Sequence, residues 1–299
     1  LAFVVDPVRE LDLIRFADWF SQGRGVVTVC NLIVGDLESD ELHLVDRRDQ
    51  IKSVINSEGL LVFPEVDVVP EIVDGIVNVA QANGMAGMAS NTVLLGWPES
   101  EDLRSSFLSV MRRLDPLNKS IVFARVKPRH LLPREDRSIH VWWGGLQQNG
   151  DLMLLLAHLL NSNEEWCDST VHVMSIASSE LMKTHTESYL ASLMPQIRIE
   201  AEVRVVLKPD DATVAEVIQR ESAEASVVFL GLQVPSKGEE EEYSQRLETL
   251  AGDLPVVFFV KNSSVFIGEL LKTPEIAKTE DTVSDEPNAP PAEPLPLPE

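Results

Sequence analysis

Cysteine is nearly absent from this 299-residue chain: Cys30 and Cys167 are the whole supply. Two thiols cannot build a disulfide framework, so the sequence reads as that of a reduced, cytosolic protein. Basic residues are also scarce, 25 Lys plus Arg against 48 Asp plus Glu, for a formal charge of −23. A field of that sign repels phosphate backbones and anionic bilayers, which excludes nucleic acid as a partner. Long apolar runs are missing too. A spanning helix needs about 20 apolar residues, and the densest run, Leu152 to Leu160, is shorter and contains His158, so no direct membrane insertion is expected. The sequons at Asn118 and Asn262 carry no glycosylation reading without a signal peptide. The chain opens on Leu1-Ala2-Phe3-Val4-Val5 without an initiator methionine, as expected of an excised fragment or a processed chain.

What is present is an alternation of strand-like and helix-like segments. The strands are continuous apolar runs, the pattern of parallel strands covered on both faces, and this predicts an α/β fold. Strands are expected at Val26–Val34, Leu60–Phe63, Thr92–Trp97, Ile121–Val126, Ile139–Trp143, Thr170–Ile176, Val203–Leu207, Val227–Leu230 and Val256–Val260. Helical periodicity covers Leu11–Phe20, Glu38–Ile55, Glu71–Ala82, Glu101–Leu114, Leu152–Leu160, Glu180–Leu193, Val214–Glu221 and Tyr243–Leu250. The two halves look related. A shift of 135 positions lays Thr92–Gly96 on Val227–Gly231 and Ile121–Phe123 on Val256–Phe258, with acidic helix starts after both glycines. Two similar, mainly parallel subdomains follow, residues 1–127 and 138–271. The proline-broken stretch 128–137 joins them, and 272–299 forms an acidic, proline-rich tail too poor in apolar residues to fold.

Signatures of site chemistry are few. There is no Walker motif, and Gly23-Arg24-Gly25 precedes a strand instead of following one. Gly84-Met85-Ala86-Gly87-Met88 lies between a helix and a strand, where a helix C-cap and tight turn account for it. Gly96 and Gly231 end strands at the sheet edge where α/β folds bind ligands. The carboxylates that follow them would satisfy the helix N-termini and repel a phosphate, although a nucleotide could enter elsewhere in the first half. No Gly-x-Ser-x-Gly elbow occurs, and Cys30 sits in an apolar strand that disfavours a thiolate. The histidines are scattered; His158 and His172 read as satisfied structural residues. In Trp142-Trp143, one indole is expected in the core and the other over a helix or partner surface. No catalytic, cofactor-binding or metal-binding residue is assigned, and no cofactor is expected.

Three segments together resemble a known family. They are Gly84 to Pro98, with its Asn-Thr-Val-Leu strand; Val141-Trp142-Trp143 with Asn149 to Leu156; and Arg198 to Val203. In that order they resemble the cytosolic C-terminal region of cation-chloride cotransporters, nearest the potassium-chloride branch and a compact prokaryotic member. The resemblance implies two subdomains similar to universal stress proteins, in a region that follows a membrane transport domain and pairs with itself. It implies a regulatory and dimerisation role at the cytoplasmic side of the plasma membrane, with the transported sodium or potassium and chloride bound elsewhere. The alternative is a soluble, nucleotide-binding sensor of the universal-stress type. The phosphate loop of ATP-binding stress proteins is missing after both Gly96 and Gly231.

Overall fold

The computed structural model describes residues 1–38, 44–85, 88–127, 137–144, 147–197 and 199–263. The linker expectation (apart from Arg137), the tail 272–299 and Arg198 lie outside the described residues.

The first half runs β1 (Ala2–Val4), α1 (Leu11–Ser21), β2 (Thr28–Val34), α2 (Leu44–Ser57), β3 (Phe63–Val69), α3 (Ile72–Ala82), β4 (Gly84–Met85), β5 (Met88–Ala89), β6 (Thr92–Gly96), α4 (Glu101–Leu114) and β7 (Ser120–Val126). The second runs β8 (Ser138–Trp142), α5 (Gln147–Asn161), β9 (Thr170–Ala177), α6 (Glu180–Ile197), β10 (Glu202–Leu207), α7 (Val214–Glu221), β11 (Val227–Gly231), α8 (Glu240–Ala251) and β12 (Val256–Lys261). Several helix starts are written locally. Glu71 caps α3 by accepting from the amides of Val73 and Asp74, and Thr213 with Glu216 forms a capping box on α7.

Ten strands form one sheet, in the order β10-β9-β8-β11-β12-β7-β6-β1-β2-β3. Each half therefore has its strands in the order third, second, first, fourth, fifth, and within each half every pair in this sheet is parallel. The halves meet at β7 and β12, which pair antiparallel from Val126–Val256 to Ile121–Lys261. The mixed α/β class, mostly parallel and flanked by helices, is thus as the apolar runs predicted.

Two apolar layers sandwich the sheet. Side chains of α1, α2, α5 and α6 bury one face, and those of α3, α4, α7 and α8 bury the other. The aromatic seam crosses between halves: Phe258 lies 4.8 Å from Phe16 and 5.4 Å from Phe20, both on α1, and 5.2 Å from Phe229.

Some expectations need correction. Leu60–Phe63 is not the third strand; β3 starts where that segment ends. Its Glu65 and Asp67 hide it from a search for apolar runs, as befits an edge strand only partly covered. β1, at three residues, is too short to show a pattern in the sequence, yet it is central to the first half. The 135-residue shift holds for the glycine-ended strands but slips on the last one. Gly96 pairs with Ala124 whereas Gly231 pairs with Val260, so Phe259, not Phe258, matches Phe123. Trp142 and Trp143 divide as expected, one in each layer, with the Trp143 indole lying over helix α5 at Gly150. His158 is exposed, not held inside its apolar helix. The Gly84 segment forms the short antiparallel hairpin β4–β5; residues 86–87 lie outside the described residues.

Candidate functional site

In a sheet of this strand order, ligands enter where the order reverses, at the carboxyl ends of the first and fourth strands of each half. In the first half those ends are Val5-Asp6 after β1 and Gly96-Trp97 after β6. Glu10, at the start of α1, fills the space between them. Its Oε2 accepts from the amides of Val5 at 2.5 Å and Asp6 at 3.0 Å. Its other oxygen comes so close to Gly96 that a Cβ there would stand 3.1 Å away. Burial raises the Glu10 pKa, and the two backbone bonds oppose that shift. An anion approaching the Gly96 turn meets a carboxylate already in place.

The second half repeats the arrangement with a different residue. Ala2 and Val141 occupy matching ladder positions, opposite Leu94 and Phe229 respectively. Carrying that offset into the following helix matches Glu10 with Asn149. Asn149 Nδ2 donates to the Leu232 carbonyl at 2.6 Å, and its Oδ1 accepts from the Asn262 amide at 2.9 Å. Its side chain lies against Gly231, where a Cβ would stand 3.2 Å from Nδ2. Gly150, next along α5, leaves room for the Trp143 indole, which a Cβ would strike. Both switch points are therefore closed by the chain's own side chains, with glycines at the close approaches. This closure depends on which strands neighbour each other in the sheet, so no sequence pattern marks Glu10 or Asn149 as plugs.

The helices after these glycines begin with carboxylates, as expected: Glu101 and Asp102 on α4, and Glu240 to Glu242 on α8. Arg112 pairs with Glu240 at 2.5 Å, and Gln245 donates to Glu101 at 2.6 Å, tying α4 to α8. An open cavity of about 480 Å³ between these two helices is lined by Glu101, Asp102, Glu240 and Glu241 with Ser105, Ser106 and Ser109. Its charge makes it no phosphate site.

Other reactive groups are sealed. The Cys30 thiol donates to Asp67 at 3.2 Å, and burial first, then that bond, pushes its pKa far up, away from thiolate chemistry. Ser222 and His140 lie 3.0 Å apart, a nucleophile–base spacing. Ser222 is fully buried, however, and its Oγ also accepts from Trp142 Nε1 at 2.9 Å. Burial lowers the His140 pKa to about 4, with His172 and Arg204 adding to the shift. No substrate reaches this pair. His172 lies 3.4 Å from Glu202. Among the described residues no group of three or more His, Cys, Asp or Glu is placed to hold a metal ion, and no helix is long and apolar enough to cross a membrane.

Comparison with known proteins gives this geometry a setting. Residues 132–213 match the profile of solute carrier family 12. That span contains the Trp142-Trp143, Asn149–Leu156 and Arg198–Val203 motifs; the Gly84–Pro98 motif lies before it. In fold, the chain is similar to the cytoplasmic domain of a prokaryotic cation chloride cotransporter, with TM-score 0.64 and 20% identity over 87% of this chain and 94% of that one. It is also similar to a universal stress protein from Archaeoglobus fulgidus DSM 4304, TM-score 0.53 and 15% identity over 88% and 97% of the two chains. A putative universal stress protein from Pseudomonas aeruginosa UCBPP-PA14 gives 0.56 and 15% over 89% and 95%. The resemblance is thus met in two ways: residues 132–213, which hold the second and third motifs, match the solute carrier family 12 profile, and the fold is similar to that of a cation chloride cotransporter cytoplasmic domain.

Proposed function

We propose that this chain is the cytosolic regulatory and dimerisation region of a secondary-active cation-chloride cotransporter. In this reading it sits on the cytoplasmic side of the plasma membrane, and the coupled movement of sodium or potassium with chloride takes place in a membrane domain of the same protein. The observation that carries the reading is the solute carrier family 12 match over residues 132–213. The closed switch points support it, because they leave the stress-protein fold without the opening a nucleotide would use. On this reading the chain is no enzyme. It divides into subdomains 1–127 and 138–271 about the linker 128–137, and 272–299 is a passive solvated tail.

Sedimentation velocity on the purified chain tests the dimer, with a concentration-dependent monomer–dimer equilibrium expected. A strict monomer at high concentration would count against autonomous pairing. The universal-stress likeness keeps one competing reading in play, a soluble nucleotide sensor. Millimolar ATP separates the two: no calorimetric heat and no thermal shift are expected of the transporter region, and tight binding would favour the sensor.

A further inference from the structure

Among the described residues the sheet has two free edges, and they are not alike. On β3 the amide of Phe63 points inward, donating to Val27 at 2.8 Å. Residues 64, 66 and 68 therefore turn their backbone groups outward, and the first is Pro64, which has no N–H to offer. Glu65 and Asp67 add two like charges. That edge is blunted as natural sheets blunt edges.

The β10 edge lacks this protection. Lys208 donates inward to Ala177 at 2.9 Å, so residues 203, 205 and 207 present N–H and C=O to the outside. None of them is proline. Among the described residues, no strand pairs with this side. Val203 and Leu207 are half-buried at the margin of the apolar layer that also takes in Ile199, Ala201 and Val205. Glu202 and Arg204 alternate with them on the opposite face, both exposed.

We propose that β10 is the pairing surface between two copies of this chain, joined antiparallel about Val203 to continue the sheet across a twofold axis. An antiparallel partner must set outward-facing residues opposite outward-facing residues, which restricts the register. Centred on Val203, the arrangement places Val203 opposite the same residue of the second copy, Val205 opposite Ala201 and Leu207 opposite Ile199. It also sets each Glu202 against an Arg204, at the non-hydrogen-bonded positions where side chains approach most closely. Centring on Glu202 or Arg204 instead would oppose like charges on the axis. Within one chain Arg204 reaches Glu221 at 2.8 Å, leaving the opposite side of its exposed guanidinium for a second carboxylate.

This inference rests on the dimerisation reading, and the test separates the two. In a Cys167→Ser background, Val203→Cys is oxidised at graded protein concentration beside Val205→Cys, with sedimentation run on the reduced proteins. A covalent dimer, cleaved by dithiothreitol, is expected for Val203→Cys and not for Val205→Cys, since hydrogen-bonded antiparallel neighbours fall within disulfide reach. A reversible dimer with no Val203→Cys crosslink would overturn the β10 surface and leave dimerisation standing. A monomer at every concentration would overturn both. Arg204→Glu should weaken the dimer about tenfold through two opposed carboxylate pairs, and Glu202→Arg with Arg204→Glu should restore it. Failure of the double reversal to restore the dimer would also overturn the register.

Discussion

Asp151 is a buried carboxylate: it is 8% exposed, and among the described residues its Oδ1 has no hydrogen-bond partner. Burial alone raises its pKa from 3.8 to about 6. Between those values the folded chain holds a proton that the unfolded chain releases, so this group's contribution to stability is complete below about pH 4 and is lost as pH rises through 6. Asp151→Asn should therefore match the wild type near pH 4 and exceed it by about 3 kcal/mol above pH 7, read as the difference between urea midpoints across the pH range. A constant difference at all pH values would contradict the assignment. Nearby, Gly150 and Gly144 make a second comparison. A Cβ on Gly150 collides with the Trp143 indole, whereas one on Gly144 meets nothing within 4 Å among the described residues. Gly150→Ala should cost about 2 kcal/mol by overpacking, and Gly144→Ala should be close to neutral in the same denaturation assay.

Among the elements, helices whose ends are written in local chemistry were legible in the sequence. α4 and α7 begin and end where their periodicity predicts, with acids in the first turn of one and a capping box on the other. Central strands were legible because burial on both faces leaves continuous apolar runs. β1 and β3 were not: one is too short to show a pattern, and the other is an edge that tolerates Glu65 and Asp67. The plugs Glu10 and Asn149 escaped for a related reason, since each acquires its role from a strand that is distant in sequence. So did Glu248 on α8. It accepts from Trp97 Nε1 across the halves and stands 3.7 Å from both Arg104 and Arg125. Glu248→Ala leaves a largely buried indole N–H without its acceptor and two guanidinium groups without their shared anion. It should lower stability by about 1–2 kcal/mol, measured by thermal melting, with Glu248→Gln recovering part of the loss because its amide oxygen still accepts from Trp97.

At the scale of the whole molecule, the twofold arrangement of the halves rests on the β7–β12 ladder, whose local axis passes through the Phe123–Phe259 pair. Separating the halves would expose two strand edges, and it would also pull α1 of the first half off the second. Phe16 and Phe20 lean on Phe258, and Trp19 lies 5.7 Å from Trp166. Gln22 Nε2 donates to the Leu159 carbonyl at 2.5 Å, closing the same contact at its end. The two similar halves therefore share a core that neither completes alone, and they should unfold together. Tryptophan emission reports on both, through Trp97 in the first and Trp142 and Trp143 in the second. Its denaturation curve should superimpose on that of far-ultraviolet circular dichroism. Phe258→Ala, at the crossing point, should cost about 3–5 kcal/mol and shift both curves equally. Two resolved transitions, with only the second-half signal displaced, would show instead that the halves are thermodynamically independent and that the aromatic seam contributes little to joining them.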